Sequence, residues 1–419
     1  MVKITPRVEF TKEMKRDYKI LIPNMAPIHF ELLKNLFCYY GYNAELLYND
    51  GREVVDTGLK YVHNDTCYPA LLVIGQMINS LESGKYDVKK TALMITQTGG
   101  GCRASNYIHL LRKALIKAGM SYVPVISLNL SGLEKNSGFG FTLPMMAKAL
   151  YALAYADIVM LLDNQVKPYE VNVGDSAKRV KYWVDKLSDE LKTASITAFS
   201  AKNIGKMMEK IANDFATIAV EKRKKLKVGI VGEIYVKYSS LANNDLEKFL
   251  ASQNCEVMVP GILAFIIFKL DNRMEDIKLY GGSKAKKALY NSFMNFFLKI
   301  EMKMISAIQQ TNRFAAPSPY GHLKDLASRV IGPGCKMGEG WLLTAEMMEL
   351  IENGYPNVVC AQPFGCLPNH IVGKGMIRKL RELYPNSNIV PIDYDAGATK
   401  VNQENRIKLM LAVANENSK

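Results

Sequence analysis

The sequence predicts an α/β protein of two lobes with parallel sheets, and three observations predict it. Short apolar runs of strand character alternate with longer helical patterns, which is how β–α–β units read. The stretches 18–47 and 227–259 open alike, as strand, loop, helix and strand. Each half later presents a Cys-x-Pro that opens a helical run, Cys67-Tyr68-Pro69 and Cys366-Leu367-Pro368, and proline suits a first helical turn. The two lobes are therefore read as a pseudo-repeat, each with a thiol at a helix N-terminus. That position lowers a thiol pKa and favours a metal-binding thiolate.

The elements follow in order. Tyr18–Pro23 (YKILIP) is a strand, followed by a loop with Pro23, Asn24 and Pro27. A helical pattern runs from His29 to Tyr40, Gly41 ends it, and Ala44–Leu47 restarts as strand. After the Cys67 helix, the strand Lys90–Thr96 leads into Gly99-Gly100-Gly101-Cys102. Tyr122–Leu128 and Ala156–Leu162 also read as strands, and Ser176–Lys225 is charged and helical, a link between lobes. Lys227–Val231 opens the second lobe, with a loop through Gly232, Glu233 and Ser239, a helix near Asp245–Ser252 and a strand at Cys255–Val259. Leu263–Leu326 reads as a helical insertion, and Asn357–Cys360 and Asn388–Ile392 complete the strands. The organisation is a first lobe over 1–175, a linker over 176–225 and a second lobe over 226–419 with its insertion at about 263–326.

Composition narrows the class. A chain of 419 residues, 48% hydrophobic and 22% charged, is ordinary for a globular protein able to bury a large core. Met1 to Arg16 has no apolar signal core, and the longest uncharged apolar stretch, Val257–Phe268, is short of the roughly 20 residues that span a bilayer. The expectation is a soluble, cytoplasmic protein with no membrane association. The net charge of +14 comes from 54 basic and 40 acidic residues. Its lysines are dispersed, as at Lys222–Lys227 and Lys284–Lys287, with no recognition helix or aromatic-plus-basic RNA motif, so a solvated face is expected rather than nucleic-acid binding.

The seven cysteines carry the chemistry, because cytosolic thiols rarely form structural disulfides. Cys102 stands just past a strand in TQTGGGCRASNY. Gly100 and Gly101 let backbone approach a bulky group, and Arg103 adds positive charge beside an anionic cluster. The alternative there is a tight turn with a buried thiol. Cys360 and Cys366 flank Ala-Gln-Pro-Phe-Gly, a clamp across the carboxyl ends of parallel strands, where α/β ligand sites form. Cys67 stands in VHNDTCYPA, and Cys335, in the glycine-rich GPGCKMGEGW, is an additional candidate ligand. Cys38 and Cys255 read as core thiols. His63 and His370, near Cys67 and Cys366 in sequence, are candidate proton donors or outer hydrogen-bond partners, or else packed surface histidines. No GxxxxGK[ST], G-x-S-x-G or HExxH occurs.

The elements DTCYPA, GGGCRASNY, KVGIVGEIYVKY, GEGWLLTAEM and VVCAQPFGCLPNHIVGKG resemble the 2-hydroxyacyl-CoA dehydratase and activase-related superfamily. They occur in the expected order over about residues 17–412, and IDYDAGATKVNQENRIKLML fits as well. The resemblance implies Rossmann- or flavodoxin-like lobes in an anaerobic iron–sulfur protein. It also implies low-potential electrons from a separate ATP-hydrolysing activator of the actin/Hsp70 fold. Cys67, Cys102, Cys360 and Cys366 fall on the family's cysteine motifs, and Cys335 falls near the GEGW element. One branch carries an [8Fe-9S] double-cubane cluster. That cluster calls for more thiolates, so Cys335 and either Cys38 or Cys255 would have to join, and a single [4Fe-4S] cluster stays open.

Two functions follow from the resemblance. One is the catalytic component of an ATP-dependent reductase or dehydratase-like lyase acting on a small molecule or CoA ester. The other is a non-catalytic electron-transfer or scaffold subunit. A homodimer is implied too. Its expected contact is the insertion's apolar stripe of Phe265, Ile266, Ile267, Phe268, Phe293, Phe296 and Phe297, with packing on its own lobe as the alternative.

Overall fold

The computed structural model describes residues 7–63, 65–98, 100–129, 134, 136–193, 200–221 and 223–416; Gly99 of the glycine run lies outside them. The first sheet consists of β1 (Lys19–Pro23), β2 (Asn43–Leu47), β3 (Thr91–Thr96) and β4 (Val125–Leu128), in the order β2-β1-β3-β4. The second consists of β5 (Leu226–Gly232), β6 (Cys255–Met258), β7 (Asn357–Pro363) and β8 (Asn388–Tyr394), in the order β6-β5-β7-β8. Every strand pair in both sheets is parallel. The two orders are the same topology, so the expected α/β architecture of two parallel-sheet lobes is what the chain adopts. The inner strands read as near-continuous apolar runs because helices cover both faces. Thr91–Ile95 and the whole of Asn357–Pro363 are buried. In such sheets ligands collect outside the carboxyl ends of the strands, where strand order reverses. Here those points lie between β1 and β3 and between β5 and β7.

One predicted strand is corrected. Ala156–Leu162 lies inside the helix Leu143–Val166, most of which is buried. A short apolar run buried on all sides has no period that separates helix from strand. This helix alone among the described residues is long and apolar enough to cross a membrane, and 78% of its most apolar window is buried inside the chain. It packs against the helix Pro27–Tyr39 of the first lobe, against β6 and against the insertion. Its Asp157, fully buried, stands 2.7 Å from His29 Nε2 and accepts the backbone N–H groups of Ile262 (2.8 Å) and Leu263 (2.7 Å). A first-lobe histidine and the start of a second-lobe helix thus share one carboxylate.

The linker and the insertion form a common helical layer. Asp175–Thr193 and Ala201–Ala216 bury Trp183, Leu187, Met208 and Phe215 in the same core as the insertion helices Ile262–Tyr280, Lys284–Gln309 and Tyr320–Ser328. The insertion's stripe is consumed in this packing. Ile267, Phe268 and Phe297 are buried, while Phe265, Ile266 and Phe296 lie half-buried on that core. Only Phe293 of the seven is exposed, at 44%. Much of the expected dimer contact is therefore used within the chain, while Phe293 stays exposed.

Candidate thiol-lined site between the lobes

Topology pairs the cysteines differently from their local motifs. Cys67 lies between β2 and β3, directly before the helix Tyr68–Glu82 that leads into β3. Its counterpart between β6 and β7 is Cys335, just before the helix Trp341–Glu352 that leads into β7. Cys102 follows β3, and Cys366 follows β7. Each lobe thus supplies one thiol before its third strand and one after it.

The four segments touch in a closed ring. Cys67 caps its helix, and its Sγ lies 2.9 Å from the hydroxyl of Tyr107, in the helix Tyr107–Lys117 that follows Cys102. Tyr68 N–H donates to the Phe364 carbonyl (2.9 Å) in the Cys366 loop. Gly365, at φ +72°, comes so near that a Cβ there would lie 3.1 Å from Cys67 Cα. Cys366 caps the helix Leu367–Val372, and Pro368 of that helix lies against Gly338 of the Cys335 loop. The ring closes where Met337 covers Gly101, whose added Cβ would meet Met337 Cε at 2.2 Å. Among the described residues no three His, Cys, Asp or Glu side chains stand close enough to hold one metal ion.

Cys360 stands apart from the ring. It lies within β7, opposite Val231 and Pro391, is 0% exposed, and accepts a hydrogen bond from Gln362 Nε2 at 3.5 Å. Cys255 is buried as expected, whereas Cys38 is exposed rather than a core thiol. Cys335 is exposed, and its carbonyl accepts from Trp341 N–H at 2.7 Å.

The electrostatics overturn the expectation of low-pKa thiols. Burial pushes Cys102 up to about 11, with the charges of Glu339 and Glu233 and neighbouring Cys67 adding to it. Burial raises Cys67 and Cys366 as well, Cys366 again with Glu339 and Glu233 behind it. Desolvation of the thiolate outweighs the partial charge of a helix start.

Those two carboxylates were not found from sequence. Glu233 caps the helix Ile234–Tyr238 and accepts Val236 N–H at 2.9 Å, while Glu339 accepts Ile234 N–H at 3.0 Å. Burial and the charge of Glu339 push Glu233 up to about 8. The available signal was an acid beside glycine at the end of a strand and in the GEGW loop. Lys237 stands near Glu233 and Lys269 near Glu339. Lys269 lies over the rings of Phe265 and Phe268 (4.7 and 5.1 Å) and donates to the Gly338 carbonyl. Arg103 Nη1 donates to the Asp65 carbonyl at 2.8 Å, which clasps the Cys102 and Cys67 loops together.

The remaining predicted residues are placed as follows. Gly100 is exposed with open space around its Cα, and its carbonyl accepts from Ser105 Oγ at 2.6 Å. His63 is exposed, with Nδ1 3.4 Å from Asp65 Oδ2. His370 is half-buried in the Leu367–Val372 helix. Beneath that helix Asn369 Nδ2 lies 3.5 Å from Glu339 Oε2, and the buried Asn369 Oδ1 and Gln362 Oε1 have no hydrogen-bond partner among the described residues. Soft thiols, a carboxyl of raised pKa and nearby cations are the kinds of group that suit a metal–sulfur group and proton delivery beside it. Compared with described protein families and with curated proteins, the chain matches none.

Proposed function

We propose that this chain is an anaerobic, cytoplasmic iron–sulfur protein, the catalytic component of an ATP-dependent low-potential reductase or 2-hydroxyacyl-CoA dehydratase-like system. The observation that carries the reading is the closed ring of loops, to which each lobe brings two thiols from equivalent places in its topology. The resemblance of the five sequence elements adds to it. The donor chemistry fits, since thiolates select iron–sulfur clusters and zinc among common metals. The open backbone at Gly100 leaves room beside Cys102.

Cys67, Cys102, Cys335 and Cys366 would hold the cluster, and Cys360 would support β7 behind it. When bound, the cluster supplies one-electron chemistry at low potential. The chain's own residues would do the rest. Glu233, whose pKa burial and neighbouring Glu339 raise, would serve as the proton donor beside the cleft. Lys269 and Arg103 offset negative charge at the cleft, and Met337 and Phe364 limit water at its rim. Electrons would come from a separate ATPase of the actin/Hsp70 fold, since no phosphate-binding loop occurs in this sequence.

Anaerobic purification with iron and sulfide quantitation and EPR tests the reading. Iron and acid-labile sulfide in near-equal amounts are expected, with a paramagnetic signal on reduction. A chain purified without oxygen that holds neither overturns it. An EPR signal that shifts on adding a CoA ester or another small substrate marks the catalytic component. An indifferent signal with every iron thiolate-capped marks an electron-transfer subunit instead.

A further inference from the structure

The insertion's first two helices form a hairpin whose far end belongs to no core. In Ile262–Tyr280 the last buried residue is Asn272, and in Lys284–Gln309 the first is Met294. The arm between them, residues 273–293, has no buried residue. At 1.5 Å per residue it reaches about 12 Å beyond Asn272 before turning. The turn is fixed by Gly281 at φ +78°.

This arm is apolar and basic at once. Leu279, Tyr280, Leu289 and Phe293 are 56%, 79%, 53% and 44% exposed. No acidic residue occurs between Asp276 and Glu301, whereas lysine occurs at 278, 284, 286, 287 and 299. Lys278 pairs with Glu275 at 3.6 Å; Lys284, Lys286 and Lys287 form no ion pair among the described residues. Solvated lysines explain solubility, but they do not explain large apolar side chains on an arm whose outer end packs into no core.

The arm is also joined to the thiol site. Asp276 forms an ion pair with Lys336, the residue after Cys335, and Lys336 Nζ lies 5.6 Å from the ring centre of Tyr280. Lys269, lower on the same helix, holds the Gly338 carbonyl. Whatever settles on the arm settles beside the Cys335 loop.

We propose that the arm 273–293 is the docking surface for an acidic electron-donor protein that feeds the thiol-lined site. The charge fixes the sign of the partner's face, and the exposed Tyr280, Leu289 and Phe293 provide the apolar anchors on which protein–protein contacts depend. Unpaired lysines around them steer the encounter, so association depends on salt. The proposal rests on the reading of the site as redox-active, because only then does a donor need to approach the Cys335 loop.

The test uses the full chain purified without oxygen, with a small acidic two-cluster ferredoxin, reduced beforehand, as a probe standing in for the acidic face of the ATP-driven donor. Binding is measured by calorimetry at low and high salt, whatever the iron content. Cluster reduction is followed by absorbance, with the ferredoxin and with dithionite. The variants are K284E/K286E/K287E and, separately, L289S/F293S. All five side chains lie outside the core, so the fold persists, and a thermal melt confirms it. The expected result is wild-type binding that weakens with salt and falls about tenfold or more in each variant, with dithionite reduction unchanged. Equal ferredoxin binding by wild type and charge-reversal variant overturns the proposal, as does no wild-type binding at low salt. Loss in the variants of binding to single-stranded RNA or anionic vesicles, with ferredoxin unaffected, assigns the arm to those ligands and overturns it too. An iron-free chain defeats the reading of the site, while calorimetry still decides the docking surface.

Discussion

The loops carrying Cys67 and Cys335 occupy the same place in two copies of one topology, yet they are built in opposite ways. The helix begins at the residue after Cys67, whose thiol is 5% exposed and held against Tyr107, with Arg103 tying the preceding loop down. Cys335 is exposed and separated from its helix by a turn with Gly338 and Gly340 in left-handed conformations. Besides its own backbone turns, side chains tie that loop to its surroundings: Met337 on Gly101, Lys336 on Asp276 and Lys269 on the Gly338 carbonyl. The first lobe is a fixed wall and the second a clasp.

The comparison breaks most visibly in the cysteine series. C67S, C102S and C366S should lose nearly all iron on anaerobic purification, and C335S should lose only part. C360A should keep its iron and lose about 1 kcal/mol or more of stability, as a small buried truncation does. Iron analysis and denaturant melts read both. A C335S variant as empty as C67S would make the two loops equal, and an iron-free C360A would return that thiol to the ligand set.

Backbone strain gives the next largest effect. An alanine Cβ at Gly340 would lie 2.4 Å from the Cys335 carbonyl oxygen with φ at +52°. At Gly101 it would meet only the mobile end of Met337. G340A should therefore cost roughly 1–3 kcal/mol, and G101A well under that. Equal unfolding midpoints would remove the claim that the clasp needs its left-handed turn.

The lobes also differ in their response to pH. In the second lobe burial pushes Glu301 and Glu349 up to about 7 and, with Glu339 adding, Glu233 up to about 8. In the first lobe Glu45 is held down to about 2: burial works against this, but hydrogen bonds from Lys19, Lys85 and Tyr86 prevail. A carboxyl raised in the folded state binds protons that the unfolded chain has released, so stability falls as pH rises from the ordinary carboxyl value near 4.5 to about 8. Glu45 contributes fully above 4.5 and adds no slope there. The melting temperature of the metal-free chain should drop between pH 5.5 and 8, and E301Q should flatten the slope. An unchanged wild-type melt over that range would contradict it.

The smallest effect is one of rate. Iodoacetamide followed by mass spectrometry should label Cys335 and Cys38 before any other cysteine, and iron loading should protect Cys335 alone of the two. Early labelling of Cys67 would mean that the wall is open.

The sheets were legible because parallel strands covered on both faces leave uninterrupted apolar runs, and YKILIP, KVGIV and VVCA are such runs. Ala156–Leu162 misled for the same reason, since a helix buried all round leaves the same run. The Cys-x-Pro motif drew attention to Cys67 and Cys366 because both cap helices, but a local motif cannot show which crossover it lies in. Only strand order pairs Cys67 with Cys335. Glu233 and Glu339 lie far apart in sequence and become a pair only when one helix start receives both. The raised thiols escaped notice because burial depends on the whole fold, whereas a helix N-terminus is visible in a few residues.

Asp157 has a consequence for how the chain is made. Its partners His29 and the Ile262 helix start lie on either side of it in the sequence. At a synthesis rate of roughly 5–20 residues per second, Asp157 and the apolar helix around it wait on the order of ten seconds for the second partner to emerge. During that interval the helix Leu143–Val166 presents a sticky surface on a nascent chain whose first sheet is already complete. A chaperone that shields it until Ile262 arrives would find its target there. A gene cut within the 200–225 region would make the wait permanent, and its upstream product should be recovered aggregated.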